Sequence, residues 1–234
     1  GCYRSGTTLL EKLLHHHASL CIASQPFGDF YLYCKSRYLD ENKLSRRYPL
    51  DHLFLESDYT SADFTTFLTE FTLTEGDVNN IKKMMQNNKL GLWTPEIVSY
   101  VDRLKPASFY EVYLQLVELI TSIYPKQQAI YAGGKEVYCE EYMPFLLTRQ
   151  CKIIQIVRDP RAMIASLNFR ERDNLTGEKR PVLYSIRAWR KSVAYALAHQ
   201  KHENFMLVSY EKLAQDPLST LNEIAVFLGI APFE

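Results

Sequence analysis

The chain has 234 residues and 47% apolar content, enough for one large domain or two small ones with a sizeable core. Its 27 basic and 27 acidic side chains cancel to a formal net charge of zero, which argues against a general nucleic-acid binder. No run of about 18 apolar residues marks a membrane span.

The first segment, "GCYRSGTTLL", has the glycine spacing of a P-loop, Gly1-x-x-x-x-Gly6-Thr7-Thr8, with Thr7 where the lysine would stand. Such a loop can still cradle an anion through its backbone N–H groups and the start of the next helix. It is less suited to a triphosphate, and Arg4 adds a permanently charged planar fork. "TLLEKLLHHH", from Thr8, repeats leucines at helical spacing, so His15 to His17 lie inside a helix and point to different faces. "SLCIAS", Ser19 to Ser24, reads as a buried strand.

Residues 26–60 read as aromatic, polar and irregular, and "SADFTTFLTEF" as a helix capped by Ser61. "EGDVNNIKKMMQ" and "PEIVSYVDRL" read as further helices, and Ala107 to Tyr124 as a long amphipathic helix ended by Pro125. "AIYAGGKE" reads as strand, glycine turn, then a helix from about Val137. "CKIIQIV", Cys151 to Val157, is an apolar strand, and "DPRAMIASLNF" opens a helix with Asp159 as cap and Pro160 in its first turn. A charged loop over 171–182, a helix, the strand "FMLVSY" and the helix "DPLSTLNEIAVFLG" complete the chain. Five cysteines without paired spacing read as thiols rather than as a disulfide framework or zinc site.

Strands alternating with helices imply an α/β fold: a parallel sheet flanked by helices, P-loop nucleoside-triphosphatase-like, with a helical insertion. Ligands in such sheets bind beyond the carboxyl ends of the strands. Gln25, Lys135, Arg158 and Tyr210 all fall at or just after strand ends, beside the loop.

These segments resemble the sulfotransferase superfamily, in motif style the protein-tyrosine and bacterial branch. The resemblance implies a donor, PAPS (3′-phosphoadenosine 5′-phosphosulfate), and release of PAP, with no metal required. It assigns Arg4, Ser5, Gly6, Thr7 and Thr8 to the 5′-phosphosulfate. Arg158 and Ser166, in "IIQIVRDPRAMIASL", fall to the 3′-phosphate, and Tyr210, in "VSYEKLAQDP", to a cofactor contact. "GGKE" puts Lys135 near the transferred group, with Arg4 as a second cation. Related enzymes often carry a glutamate base shortly after the second strand. Gln25 stands there, and an amide cannot take a proton, so Asp29 is the candidate in its place. His15 to His17, about 10 Å or more along their helix from the loop, are poor candidates for that base.

The whole chain, 1–234, then reads as a single sulfotransferase-like domain, with residues 26–125 a mainly helical insertion on the acceptor side. The first strand and a C-terminal cofactor loop are expected to lie outside it. The acceptor is a hydroxyl or amine on a small hydroxylated metabolite, a glycan or a peptide. A cytoplasmic setting is expected, with any targeting segment lying upstream. The competing readings are a P-loop nucleotide kinase and a non-catalytic sulfotransferase-like binding module.

Overall fold

The computed structural model of the chain describes residues 1–44, 60–88, 93–168 and 181–234. In chain order its first elements are α1 (Thr7–His16), β1 (Leu20–Ser24), α2 (Gly28–Glu41), α3 (Ser61–Glu70), α4 (Glu75–Asn87), α5 (Phe109–Ile123) and β2 (Tyr131–Lys135). There follow α6 (Met143–Thr148), β3 (Ile153–Val157), α7 (Pro160–Asn168), α8 (Val182–His199), β4 (Phe205–Ser209), α9 (Tyr210–Gln215) and α10 (Pro217–Leu228). The chain divides into two compact units, one of Gly1–Leu10 with Val137–Glu234 and one of Glu11–Glu136, the boundary falling within α1.

In the Glu11–Glu136 unit, β1 and β2 pair in parallel, Leu20 opposite Tyr131 through Ser24 opposite Lys135. Gln25 N–H carries the ladder one step further, to the Lys135 carbonyl at 2.8 Å. Helix α5 packs on both strands. A capping box starts α5, with Ser108 and Glu111 each satisfying the other's backbone N–H, and Thr74 and Asp77 do the same for α4. Aromatic rings fill the core: Phe30 stacks on Phe109 with centroids 5.0 Å apart, and Phe64 meets Tyr38 edge-on at 5.1 Å. Lys126 ties off the end of α1, donating to the carbonyls of His15, His17 and Leu20. The His15 ring sits against the backbone of Ile22, which gives the histidine run a structural role.

Four expectations for this unit are corrected. Residues 28–41 are a helix rather than irregular, because Phe30, Tyr31, Cys34, Tyr38 and Leu39 line up one buried face; 45–59 lie outside the described residues. Thr60, not Ser61, caps α3, its hydroxyl accepting Asp63 N–H at 3.1 Å. "PEIVSYVDRL" forms two short 3₁₀ turns, Pro95–Ser99 and Val101–Arg103, instead of a helix. The glycines of "AIYAGGKE" also behave differently: Gly133 and Gly134 lie within β2 instead of making a turn. A Cβ on Gly134 would stand 2.5 Å from Pro26 Cγ and 2.7 Å from the Phe27 ring, so close packing demands glycine there.

In the other unit, β3 and β4 pair in parallel, Ile153 opposite Phe205 through Val157 opposite Ser209. Helix α8 packs on β3, and α9 and α10 on β4. The helix expected from Val137 begins only at Met143, after a 3₁₀ turn over Glu140–Tyr142. Gln155, buried in β3, donates its amide to the Ser192 carbonyl and hydroxyl at 2.7 and 2.8 Å. Lys191 pairs with Glu141 at 2.5 Å and lies 3.6 Å from Glu140, so both buried carboxylates have a counter-charge. Asp216 caps α10, and Gly229 closes it in the left-handed region. The charged loop expected over 171–182 falls, up to residue 180, outside the described residues. Each unit thus carries short parallel strands flanked by helices, the α/β class expected.

Candidate functional site

Three segments distant in sequence meet in the first unit. The loop before α1 reaches its helix through Gly6, whose φ of +90° suits glycine, and a Cβ there would stand 2.2 Å from the Tyr210 ring. Tyr210, the first residue of α9 just after β4, therefore packs its ring against the loop. The Arg158 guanidinium, at the end of β3, stacks over the same ring with 4.2 Å from its carbon to the centroid. Arg158 Nη1 donates to the Arg4 carbonyl at 3.2 Å, while its buried Nε has no hydrogen-bond partner among the described residues. Trp189 fixes the backbone beneath, its indole N–H donating to the Arg158 carbonyl at 2.9 Å.

Arg4 itself sits at φ 66°, a left-handed conformation that costs a non-glycine residue on the order of 1 kcal/mol or more. Its side chain runs to α7, where Nε donates to the Ser166 hydroxyl at 3.1 Å. The sequence divided these residues between two phosphate subsites, Arg4 with the loop and Ser166 with Arg158. In the structure one chain of contacts, Ser166–Arg4–Arg158–Tyr210, joins them. Ser5 and Thr7 are buried, Thr7 and Thr8 open α1, and the Ser5 hydroxyl has no hydrogen-bond partner among the described residues. The result is a loop with helical N–H groups, two guanidinium groups and several hydroxyls in one place, a donor set of the kind that can hold an anion.

The second unit holds the remaining candidates at the carboxyl end of β1 and β2. Thr94 locks that end, its hydroxyl accepting Ser24 N–H at 3.0 Å and donating to Ser24 O at 2.9 Å. Gln25 follows at φ 51°. Lys135 ends β2 with its ammonium 5.3 Å from the centre of the exposed Trp93 ring. Burial lowers the Lys135 pKa, against the pull of Glu136 and Glu11. Asp29 lies in the first turn of α2, where the Asn88 amide donates to one oxygen at 3.4 Å and burial raises the pKa.

Sequence reasoning gave no role to Glu136, the next residue. Its carboxylate accepts Phe27 N–H at 2.7 Å and so caps α2, whose own N-cap side chain makes no such bond. Burial pushes its pKa up to about 8, against the Phe27 N–H and Lys135 and helped by the charge of Asp29. The clue in the sequence was slight: a glutamate beside the lysine of "GGKE", at a strand end.

Among the described residues no helix is long and apolar enough to cross a membrane. The sequence matches the model of the sulfotransferase family over residues 1–234. The structure is similar to a solved sulfotransferase domain from the curacin biosynthetic pathway, with a TM-score of 0.51 and 21% identity over 100% of this chain and 73% of that one. No curated protein matches the sequence. The structural likeness establishes the fold, and the match along the full length establishes kinship: the chain belongs to the sulfotransferase family.

Proposed function

We propose that the chain transfers a sulfuryl group from PAPS to a hydroxyl or amine acceptor and releases PAP. The observation that carries this reading is the Ser166–Arg4–Arg158 chain, with a buried Arg158 Nε that has no hydrogen-bond partner among the described residues. Two fixed guanidinium groups beside a P-loop lacking the lysine suit a nucleotide bearing a second phosphate better than a triphosphate. PAPS supplies the activated sulfuryl group, and the residues supply position and charge. Ser5, Gly6, Thr7 and Thr8 hold the 5′ end, Arg158 and Ser166 the 3′-phosphate, and Tyr210 orients Arg158. Arg4 and Lys135 are the cations for the charge that develops on the leaving oxygen, as in-line transfer through a loose transition state requires.

For the proton of the acceptor the second unit offers two carboxylates, Asp29 and Glu136. The acceptor is a small hydroxylated metabolite, a glycan or a peptide. Isothermal titration tests the donor: PAP without metal should bind more tightly than ATP with magnesium, and the reverse order favours a nucleotide kinase. Turnover of labelled PAPS against an acceptor panel then separates an enzyme from a binding module.

A further inference from the structure

We infer that Glu136 takes the proton of the acceptor, in the role for which position 25 has only an amide. The assignment rests on the sulfuryl-transfer reading and deepens it. Asp29, the alternative, is poorly disposed: one oxygen takes the Asn88 amide, and the other is buried with no hydrogen-bond partner among the described residues.

Glu136 is placed differently. It follows Lys135 at the carboxyl end of β2, the edge at which ligands of parallel sheets bind. As a residue it is part-buried, with the carboxyl group itself packed inside. One oxygen is held at 2.7 Å by Phe27 N–H, which fixes the carboxylate plane. The other lies 4.0 Å from where a Cβ on Gly28 would stand, so the absence of a side chain at 28 leaves room beside it. The charged groups facing it within its unit are Lys135, next along the strand, and Asp29 on α2. A carboxyl pushed up to about 8 is a far stronger base than an ordinary glutamate and titrates near neutral pH, where general bases work best. In the step, the acceptor oxygen bonds to sulfur while its proton passes to the Glu136 carboxylate. The bond from sulfur to the 5′-phosphate oxygen breaks, and its electron pair stays on PAP.

The test compares Glu136→Gln with the unaltered protein on two acceptors, using labelled PAPS at about pH 8. Glutamine keeps an oxygen for Phe27 N–H but cannot take a proton. With benzyl alcohol, which must lose its proton in the reaction, the variant should be slower by roughly 10²–10⁴-fold. With p-nitrophenol, already ionised, it should stay within about threefold. Equal rates on benzyl alcohol, or equal losses on both acceptors in a folded variant, overturn the assignment while leaving the donor reading intact. If Glu136→Gln does not fold, Glu136→Asp serves, and equal loss on both acceptors has the same meaning. A readout free of turnover is carboxyl-carbon NMR of glutamate-labelled protein. One carboxyl should titrate well above the usual glutamate range and vanish in Glu136→Gln; its absence from that range overturns the assignment even if neither acceptor is sulfated. A chain that neither binds PAP nor turns over PAPS removes the donor reading and this assignment with it.

Discussion

In the Gly1–Leu10/Val137–Glu234 unit the charged groups of the candidate site are tied to one another: Arg4 to Ser166, Arg158 to Arg4 and to the face of Tyr210. In the Glu11–Glu136 unit they are instead desolvated, and burial lowers the pKa of Lys135 while it raises those of Asp29 and Glu136. Tied guanidinium groups lose little freedom when an anion arrives, so such an arrangement serves binding. Desolvated groups with displaced pKa values serve chemistry, since the same displacement that costs stability brings them into the range where protons move. Substitutions in the two units should therefore fall on different kinetic constants.

Apart from Glu136→Gln on an alcohol acceptor, the largest effect is expected at Lys135. Lys135→Ala should lower kcat by roughly 10²–10³ and leave PAP affinity within a few-fold, because a cation that matters only as charge develops contributes little to product binding. Near-normal turnover would remove Lys135 from the mechanism and break the division between the units. Arg158→Ala should act the other way. Loss of a charge-assisted contact of about 1.5–3 kcal/mol weakens 3′,5′-ADP by roughly 10–100-fold and barely changes 5′-AMP, which lacks the 3′-phosphate. Equal losses for both ligands in a folded variant would make Arg158 a structural residue, since its contacts with Arg4 and Tyr210 would then account for everything it does.

The sequence was most informative where one strong local pattern decided the outcome. The leucine spacing of α1, the apolar run of β3 and the Asp-Pro starts of α7 and α10 all give the elements expected. It misled where tertiary packing decided. Gly133 and Gly134 look like a turn, but the approach of Pro26 and Phe27 makes Gly134 part of a strand. Residues 28–41 look irregular because their polar and aromatic residues mask a helical stripe that the partners Phe64 and Phe109 reveal. Among site residues, those after strand ends were legible because strand ends are. The Arg4–Ser166 contact was not, since 162 positions separate the two. Glu136 escaped notice for a related reason: its significance comes from the Phe27 N–H, 109 positions away.

A smaller effect is expected in the pH dependence of stability. Unfolded, Glu136 titrates near the ordinary 4.5; folded, at about 8. The stability it contributes is whole below the first value and is lost as pH rises through the second. His15, whose pKa burial lowers from 6.5, runs the opposite way, losing its contribution as pH falls. Because His15 is common to both proteins, the difference between Glu136→Gln and the unaltered chain isolates Glu136. Urea unfolding should show the variant gaining on the unaltered protein between pH 5 and 8.5 by on the order of 1–2 kcal/mol or more. A flat difference would mean that the second unit does not displace this group.

The smallest effect, and the one that bears most directly on the first unit, concerns Ser166. Its hydroxyl accepts Arg4 Nε at 3.1 Å, and a single such bond contributes about 0.5–1.5 kcal/mol net, more where the donor is charged. Ser166→Ala should therefore weaken PAP by roughly 3–10-fold, whereas Ser166→Thr, which keeps the hydroxyl, should stay nearer the unaltered value. A single substitution cannot tell a residue that touches the phosphate from one that aims Arg4. The double cycle with Arg4→Ala can. If Ser166 acts by holding Arg4, its removal costs little once Arg4 is gone, and the two effects fall short of additivity by about 0.5–1.5 kcal/mol. If they add, each group meets the ligand independently, and the bond seen between them is incidental to binding. Titration of 5′-AMP supplies the control, since the coupling should shrink when the 3′-phosphate is missing. Coupling of equal size for both ligands would place Arg4 and Ser166 at the 5′ end of the nucleotide and leave Arg158 alone at the 3′ end.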